Sequence, residues 1–86
     1  MSIEKIQKEI FKMVKDKFLH IKMEIDIEAS LKDGFSLNSL TMIQMLVEIE
    51  KMYDIEFEDE ELNFNKFHNF RELIENVYKK INLNII

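Results

Sequence analysis

The chain has 86 residues, enough for one small domain but not for a second hydrophobic core. Its formal net charge of −5 argues against a nucleic-acid-binding surface, and the absence of Cys excludes a disulfide framework and favours an intracellular protein. With no Pro, a single Gly and 47% hydrophobic residues, the composition favours an all-helical fold.

Targeting signals are absent from the sequence. The N-terminus lacks the apolar stretch of a signal peptide, and no apolar run reaches transmembrane length. We therefore expect a cytoplasmic protein without a membrane partner, and we interpret residues 1–86 as a single, free-standing domain.

The first predicted element is an amphipathic helix from Ser2 to about His20, with Ser2 as its cap. Its apolar residues recur at spacings of three or four, as Ile3, Ile6, Ile10, Met13, Val14 and Phe18. Residues 21–38 then lose this periodicity and are predicted to form a long loop around Gly34. Such a loop has to return apolar side chains to the core, and the candidates are Leu31, Phe35 and Leu37.

A second helix is predicted from Ser39 to about Tyr53, with Asn38 as its N-cap. It is apolar nearly all round, more than one face can bury in so small a domain, which favours a helix partly exposed for a partner. Helical spacing assigns four of its residues to the core: Met42, Met45, Leu46 and Ile49.

The C-terminal third is predicted to hold the remaining elements. Residues 54–57 are expected to be extended, and residues 59–62 to form an acidic one-turn helix. A last helix is predicted from about Asn69 to Ile81, and Phe64, Phe67 and Phe70 bring aromatic bulk to the core. The expected fold is an all-α, small four-helix bundle with three main helices and one short helix.

Residues suited to catalysis are poorly arranged. His20 and His68 lie far apart and match no metal-ligand spacing, so we interpret both as surface histidines. The acidic residues do not have the spacing of an EF-hand calcium site, and the sequence contains no Gly-rich phosphate-binding loop. We expect neither a catalytic site nor a metal site.

Ser39 is the exception. A serine at a helix start is usually only a cap or first-turn residue, so its position alone decides nothing. This serine, however, follows the loop that holds the single Gly and opens the most apolar helix of the chain. Since Asn38 supplies the capping oxygen, the Ser39 hydroxyl is left free to face solvent.

The segment from Asp33 to Phe57, DGFSLNSLTMIQMLVEIEKMYDIEF, resembles the acyl and peptidyl carrier protein family. The family signature is an Asp-Ser-Leu-like triplet, an apolar helix that ends in acids and an aromatic residue, and a connection into an acidic turn. The matching positions are Asn38-Ser39-Leu40, then Tyr53, Ile55 and Phe57, then Asp59, Glu60 and Glu61. The likeness extends over nearly the whole chain and implies an acyl-carrier-protein-like fold.

The resemblance implies that Ser39 carries 4'-phosphopantetheine, attached covalently from coenzyme A by a separate phosphopantetheinyl transferase. The thiol of this arm would hold acyl or aminoacyl cargo as a thioester, so the chain would be a carrier and not itself an enzyme. No neighbouring His or Lys can activate the Ser39 hydroxyl, so the base and metal must come from the transferase. Many family members have Asp where this chain has Asn38, a difference that bears on which transferase is accepted.

In the resembled family the second helix is the partner-recognition surface. Residues 40–47 carry no charge here, so we expect apolar and polar contacts, made by Asn38, Leu40, Ile43, Gln44 and Val47.

Within the resembled family, this uncharged surface favours a carrier of a nonribosomal peptide or polyketide-type thiotemplated pathway. We expect a monomer, because such a carrier has to visit several enzymes. Its partners would be an adenylating or acyl-loading enzyme and downstream synthase or condensing enzymes. The alternatives are a fatty-acid-synthesis acyl carrier, a D-alanyl-type carrier and, from a different class, a helical protein-interaction domain without a cofactor.

Overall fold

A computed structural model describes residues 2–19, 25–31, 39–62 and 66–83. These residues form α1 (Ile3–Val14), which continues as a π-helical turn over Lys15–Leu19, then α2 (Ser39–Tyr53) and α3 (Phe70–Leu83). The predicted all-α fold with three main helices is confirmed. The predictions for His20, Gly34, Phe35, Leu37, Asn38 and Phe64 fall outside the described residues.

Side chains cap two of the helices at their N-termini. The Ser2 Oγ accepts a hydrogen bond from the Lys5 backbone N–H at 3.2 Å, as predicted for α1. At α3, the Asn69 Oδ1 accepts one from the Glu72 N–H at 3.0 Å. Asn69 is therefore the cap of α3, one residue before its first residue Phe70, because its side-chain oxygen satisfies an N–H group that lacks a helical acceptor. The predicted start, at about Asn69, is thus one residue from the observed one.

The core lies between the apolar stripes of the three helices. Leu31 returns to this core from the loop, as predicted, and Phe11 packs edge-to-face on Phe70 with ring centroids 5.4 Å apart. The four α2 residues assigned to the core are at most 1% exposed: Met42, Met45, Leu46 and Ile49. Burial of these apolar side chains thus holds the helices together.

No helix among the described residues is long and apolar enough to cross a membrane.

The segment 25–31 is joined to the start of α3 by backbone hydrogen bonds that the sequence analysis did not predict. The Leu31 N–H donates to the His68 carbonyl at 2.9 Å, and the Arg71 N–H donates to the Ile27 carbonyl at 3.1 Å. Between these two bonds, Ser30 and Asn69 form an isolated antiparallel bridge. These bonds join segment 25–31 to the start of the last helix.

The end of α2 is fixed by a left-handed residue, Asp54, whose φ is 54°. The Ile55 N–H donates back to the Glu50 carbonyl at 3.2 Å, the bond expected when the residue after a helix turns left-handed. The Glu50 carboxylate then accepts the Phe57 N–H at 2.8 Å. These bonds direct Ile55 and Phe57 into the core along the predicted extended connection.

The predicted short helix is a hydrogen-bonded turn in the described residues. The N–H groups of Glu61 and Leu62 donate to the Glu58 carbonyl at 2.9 and 3.1 Å. The Glu61 carboxylate accepts the Glu58 N–H in return at 2.8 Å, which is half of a capping box.

Candidate cofactor-attachment and docking site

Ser39 is the first residue of α2. The backbone N–H groups of a first helical turn lack intrahelical acceptors, and the helix dipole places partial positive charge there. No acidic residue lies in this turn, and the side chain of Leu40 is 64% exposed, so the helix start is at the surface. These features fit a negatively charged phosphodiester at Ser39, since the helix start favours an anion and no nearby carboxylate of that turn repels it.

An exposed row of uncharged side chains begins beside Ser39, and we call it the α2 stripe: Leu40, Ile43, Gln44 and Val47. Leu40, Ile43 and Val47 are 64%, 40% and 36% exposed, and Gln44 is also exposed. The spacing of three and four residues places them on one side of α2, opposite the buried Met45 and Ile49. All four are residues that the sequence predicts for partner recognition. The fifth, Asn38, lies outside the described residues.

Glu48, at the end of the α2 stripe, forms an ion pair within the protein. The Lys17 Nζ lies 2.5 Å from the Glu48 Oε1. This hydrogen bond and the positive charges of Lys17 and Lys51 hold the pKa of Glu48 below its usual value. This pair is not predictable from the sequence, because nothing in the spacing of residues 17 and 48 indicates that they meet.

Tyr53, the aromatic residue at the end of α2, is hydrogen-bonded to α1. Its hydroxyl donates to the Glu9 Oε1 at 2.8 Å. Burial raises the pKa of the Tyr53 hydroxyl far above its usual value, and the hydrogen bond to the Glu9 carboxylate raises it further. Tyr53 therefore stays protonated and links two helices.

The other candidate residues are not brought together. His68 is exposed beside the cap of α3, while Ser39 lies at the start of α2. Within the ranges that the structure describes, no group of three or more His, Asp and Glu side chains could hold a metal ion.

Comparison with known proteins identifies the family. Residues 16–77 match the family described as the phosphopantetheine attachment site. The chain belongs to this family of carrier proteins. An acyl carrier protein of Coprothermobacter proteolyticus is 32% identical over 62 residues, which are 72% of this chain and 76% of the relative. The cofactor of this carrier is therefore 4'-phosphopantetheine, as predicted, and phosphopantetheinyl transferases and synthase enzymes are its general classes of partner.

A solved structure supports the predicted fold. The crystal structure of an acyl carrier protein from Thermotoga maritima matches 98% of this chain and 95% of its own length, with a TM-score of 0.82. At 23% sequence identity this likeness concerns the fold, and it confirms the predicted acyl-carrier-protein-like bundle. The attachment of the arm at Ser39 and the docking role of the α2 stripe stay predictions.

Proposed function

We propose that this chain is a carrier that holds acyl or aminoacyl intermediates as thioesters on a 4'-phosphopantetheine arm at Ser39. The observation that carries the proposal is the position of Ser39, at the surface-exposed start of α2 and directly before the uncharged α2 stripe. The arm and its cargo would then be attached next to the surface that contacts partner enzymes.

In this proposal the residues of the chain bind and position, and partner enzymes do the catalysis. When bound, the arm supplies a thiol, which this Cys-free chain lacks. The N–H groups at the start of α2 stabilise the negative charge of the phosphodiester on Ser39. Leu40, Thr41 and Met42, which follow Ser39, are not bases, and in this proposal the transferase accepts the proton of the Ser39 hydroxyl.

The pathway we propose is a thiotemplated one of the nonribosomal peptide or polyketide type. An adenylating or acyl-loading enzyme would charge the carrier, and synthase or condensing enzymes would use the cargo. The support for this choice is the absence of charge from residues 40–47, which suits enzymes that dock through apolar contacts.

A second candidate is an acyl carrier of fatty-acid synthesis. The observation that favours it is that the relative and the solved structure described above are both named acyl carrier proteins. Loading of the phosphopantetheinylated protein separates the two candidates. Loading by an aminoacyl-adenylating enzyme would support the first candidate, and loading by a malonyl transferase alone would support the second.

The attachment residue is tested by the intact mass of the protein after incubation with coenzyme A and a broad-specificity phosphopantetheinyl transferase. We expect the unaltered protein to gain one phosphopantetheine group and Ser39→Ala to gain none. The neighbouring serine provides a matched control, and Ser36→Ala should be modified like the unaltered protein. A gain of mass in Ser39→Ala would disprove attachment at this residue.

A further inference from the structure

Both carboxylates of α2 accept hydrogen bonds from other groups of the same chain. Glu48 pairs with Lys17 at 2.5 Å, and Glu50 accepts the Phe57 backbone N–H at 2.8 Å. Lys51, one turn beyond Val47, adds a positive charge close to Glu48. Neither carboxylate of this helix is therefore free of a partner within the protein.

The position of Glu48 makes its pairing relevant to docking. It follows Gln44 by four residues and so lies on the next turn beside the α2 stripe. Along the helix it is about 13 Å from Ser39, at 1.5 Å per residue. It is also the carboxylate of α2 nearest to Ser39 in sequence, so its charge matters most to an enzyme that reaches the proposed attachment site.

Two acidic residues that follow α2 form no side-chain hydrogen bond or ion pair among the described residues. Asp54 and Glu56 are exposed and line a shallow cleft together with Val47 and Lys51. Asp54 is about 22 Å along the helix axis from Ser39. The part of the surface that starts at Ser39 is thus uncharged for most of the length of the helix.

We propose that Lys17 is a specificity-determining residue. Its positive charge offsets the negative charge of the ionised Glu48 carboxylate, so that the α2 stripe fits an apolar, uncharged docking surface on a partner enzyme. This inference rests on the proposed carrier function. A Lys- or Arg-rich docking surface would find Glu48, the carboxylate beside the α2 stripe, already paired with Lys17, and desolvating its own charges without a partner is unfavourable. Leu40, Ile43 and Val47 are the apolar contacts that remain.

The test uses a phosphopantetheinyl transferase whose carrier-binding surface is rich in Lys and Arg. The value of kcat/KM for modification is measured at low and at near-physiological ionic strength. Lys17→Gln leaves the charge of Glu48 unpaired, so kcat/KM should rise about threefold to fivefold at low ionic strength and fall more steeply with salt. The unaltered protein should show the weaker salt dependence.

Two controls separate this effect from a change in net charge. Lys17→Gln/Glu48→Gln removes both partners and should behave like the unaltered protein. Lys8→Gln makes the same charge change at an exposed lysine of α1 that forms no ion pair among the described residues. It should also leave the salt dependence unchanged. Because the Lys17–Glu48 pair lies at the surface, with side chains 55% and 26% exposed, the melting temperatures of all variants should stay close together.

Each other outcome contradicts a specific claim. Equal rates and salt dependences for Lys17→Gln and the unaltered protein, or equal effects of Lys17→Gln and Lys8→Gln, would overturn the role of Lys17 alone. A dimer that Val47→Glu dissociates in size-exclusion chromatography would place a second copy on the α2 stripe and overturn the enzyme partner. No gain of mass in any variant would overturn the carrier function and this inference with it.

Discussion

At the scale of single residues, Glu61 holds the connection between α2 and α3 in place. Its carboxylate accepts hydrogen bonds from the Lys80 Nζ at 2.7 Å and the Asn76 Nδ2 at 2.6 Å, in addition to the Glu58 N–H. The Lys80 Nζ also lies 5.5 Å from the centre of the Phe57 ring. Burial by itself would raise the pKa of Glu61, but these hydrogen bonds together lower it.

The lowered pKa of Glu61 predicts a loss of stability in acid. The ionised carboxylate stabilises the folded state at pH values above its unfolded-state pKa of 4.5, and this contribution disappears as the pH falls through the lower folded-state pKa. Glu61→Gln should therefore lower the free energy of unfolding at neutral pH by roughly 1 kcal/mol, since solvent partly screens the pair.

Urea denaturation of this variant across the acidic range measures the effect. The stability of Glu61→Gln should depend less on pH below pH 4.5 than that of the unaltered protein. Glu60→Gln, at the exposed neighbouring residue, serves as the control and should match the unaltered protein. An equal acid dependence in Glu61→Gln would show that the Lys80 and Asn76 contacts do not stabilise the ionised carboxylate.

At the scale of one element, α2 combines a buried face and an exposed face that are both apolar. Ile49 is fully buried, whereas Ile43 is 40% exposed, although the two residues have the same side chain on the same helix. Composition cannot separate them, but helical spacing does, because Ile49 lies four residues after the buried Met45 and seven after the buried Met42, on the same face of the helix. The exposed face is what we propose partners contact.

The two isoleucines of α2 allow a matched test of these faces. Ile49→Ala should lower the free energy of unfolding by about 2–5 kcal/mol, because it opens a cavity in the core. Ile43→Ala makes the same chemical change at the surface and should cost less than about 1 kcal/mol. Urea unfolding of both variants measures the difference, and similar losses would mean that Ile43 also packs in the core.

At the scale of the whole molecule, a small core leaves apolar side chains on more than one surface. Leu83, at the end of α3, is 68% exposed and so is as accessible as Leu40 on the α2 stripe. Exposure alone therefore does not identify a docking surface. The α2 stripe differs because it begins beside Ser39 and combines several uncharged side chains on one helix face.

Val47→Glu tests whether partner enzymes dock on the α2 stripe. A carboxylate introduced into an apolar contact has to be desolvated, so we expect transfer to a partner enzyme to slow about tenfold or more. The melting temperature should change little, because Val47 is 36% exposed. Leu83→Glu adds the same charge on α3 and should leave transfer unchanged. A large drop in the melting temperature of Val47→Glu would instead place Val47 in the core.

The sequence by itself determined the features that depend on neighbouring residues. The helical periodicity, the Ser2 cap and the four buried residues of α2 follow from contacts within one turn, so they can be predicted from spacing. The motif around Ser39 was sufficient to predict the family and its cofactor, because that likeness depends on the order of residues along the chain. Asn69 shows where such reasoning ends, since a cap and a first helical residue differ by only one position.

The tertiary structure alone decided which side chains meet across elements. The pairing of Lys17 with Glu48, the bond from Tyr53 to Glu9 and the binding of Lys80 by Glu61 join residues that are distant in sequence. Their meeting depends on how the helices are placed and rotated around the core, and the spacing within each helix carries no information about that placement. For this reason the uncharged residues of the α2 stripe were predictable from the sequence, while the ion pair of Glu48 with Lys17 was not.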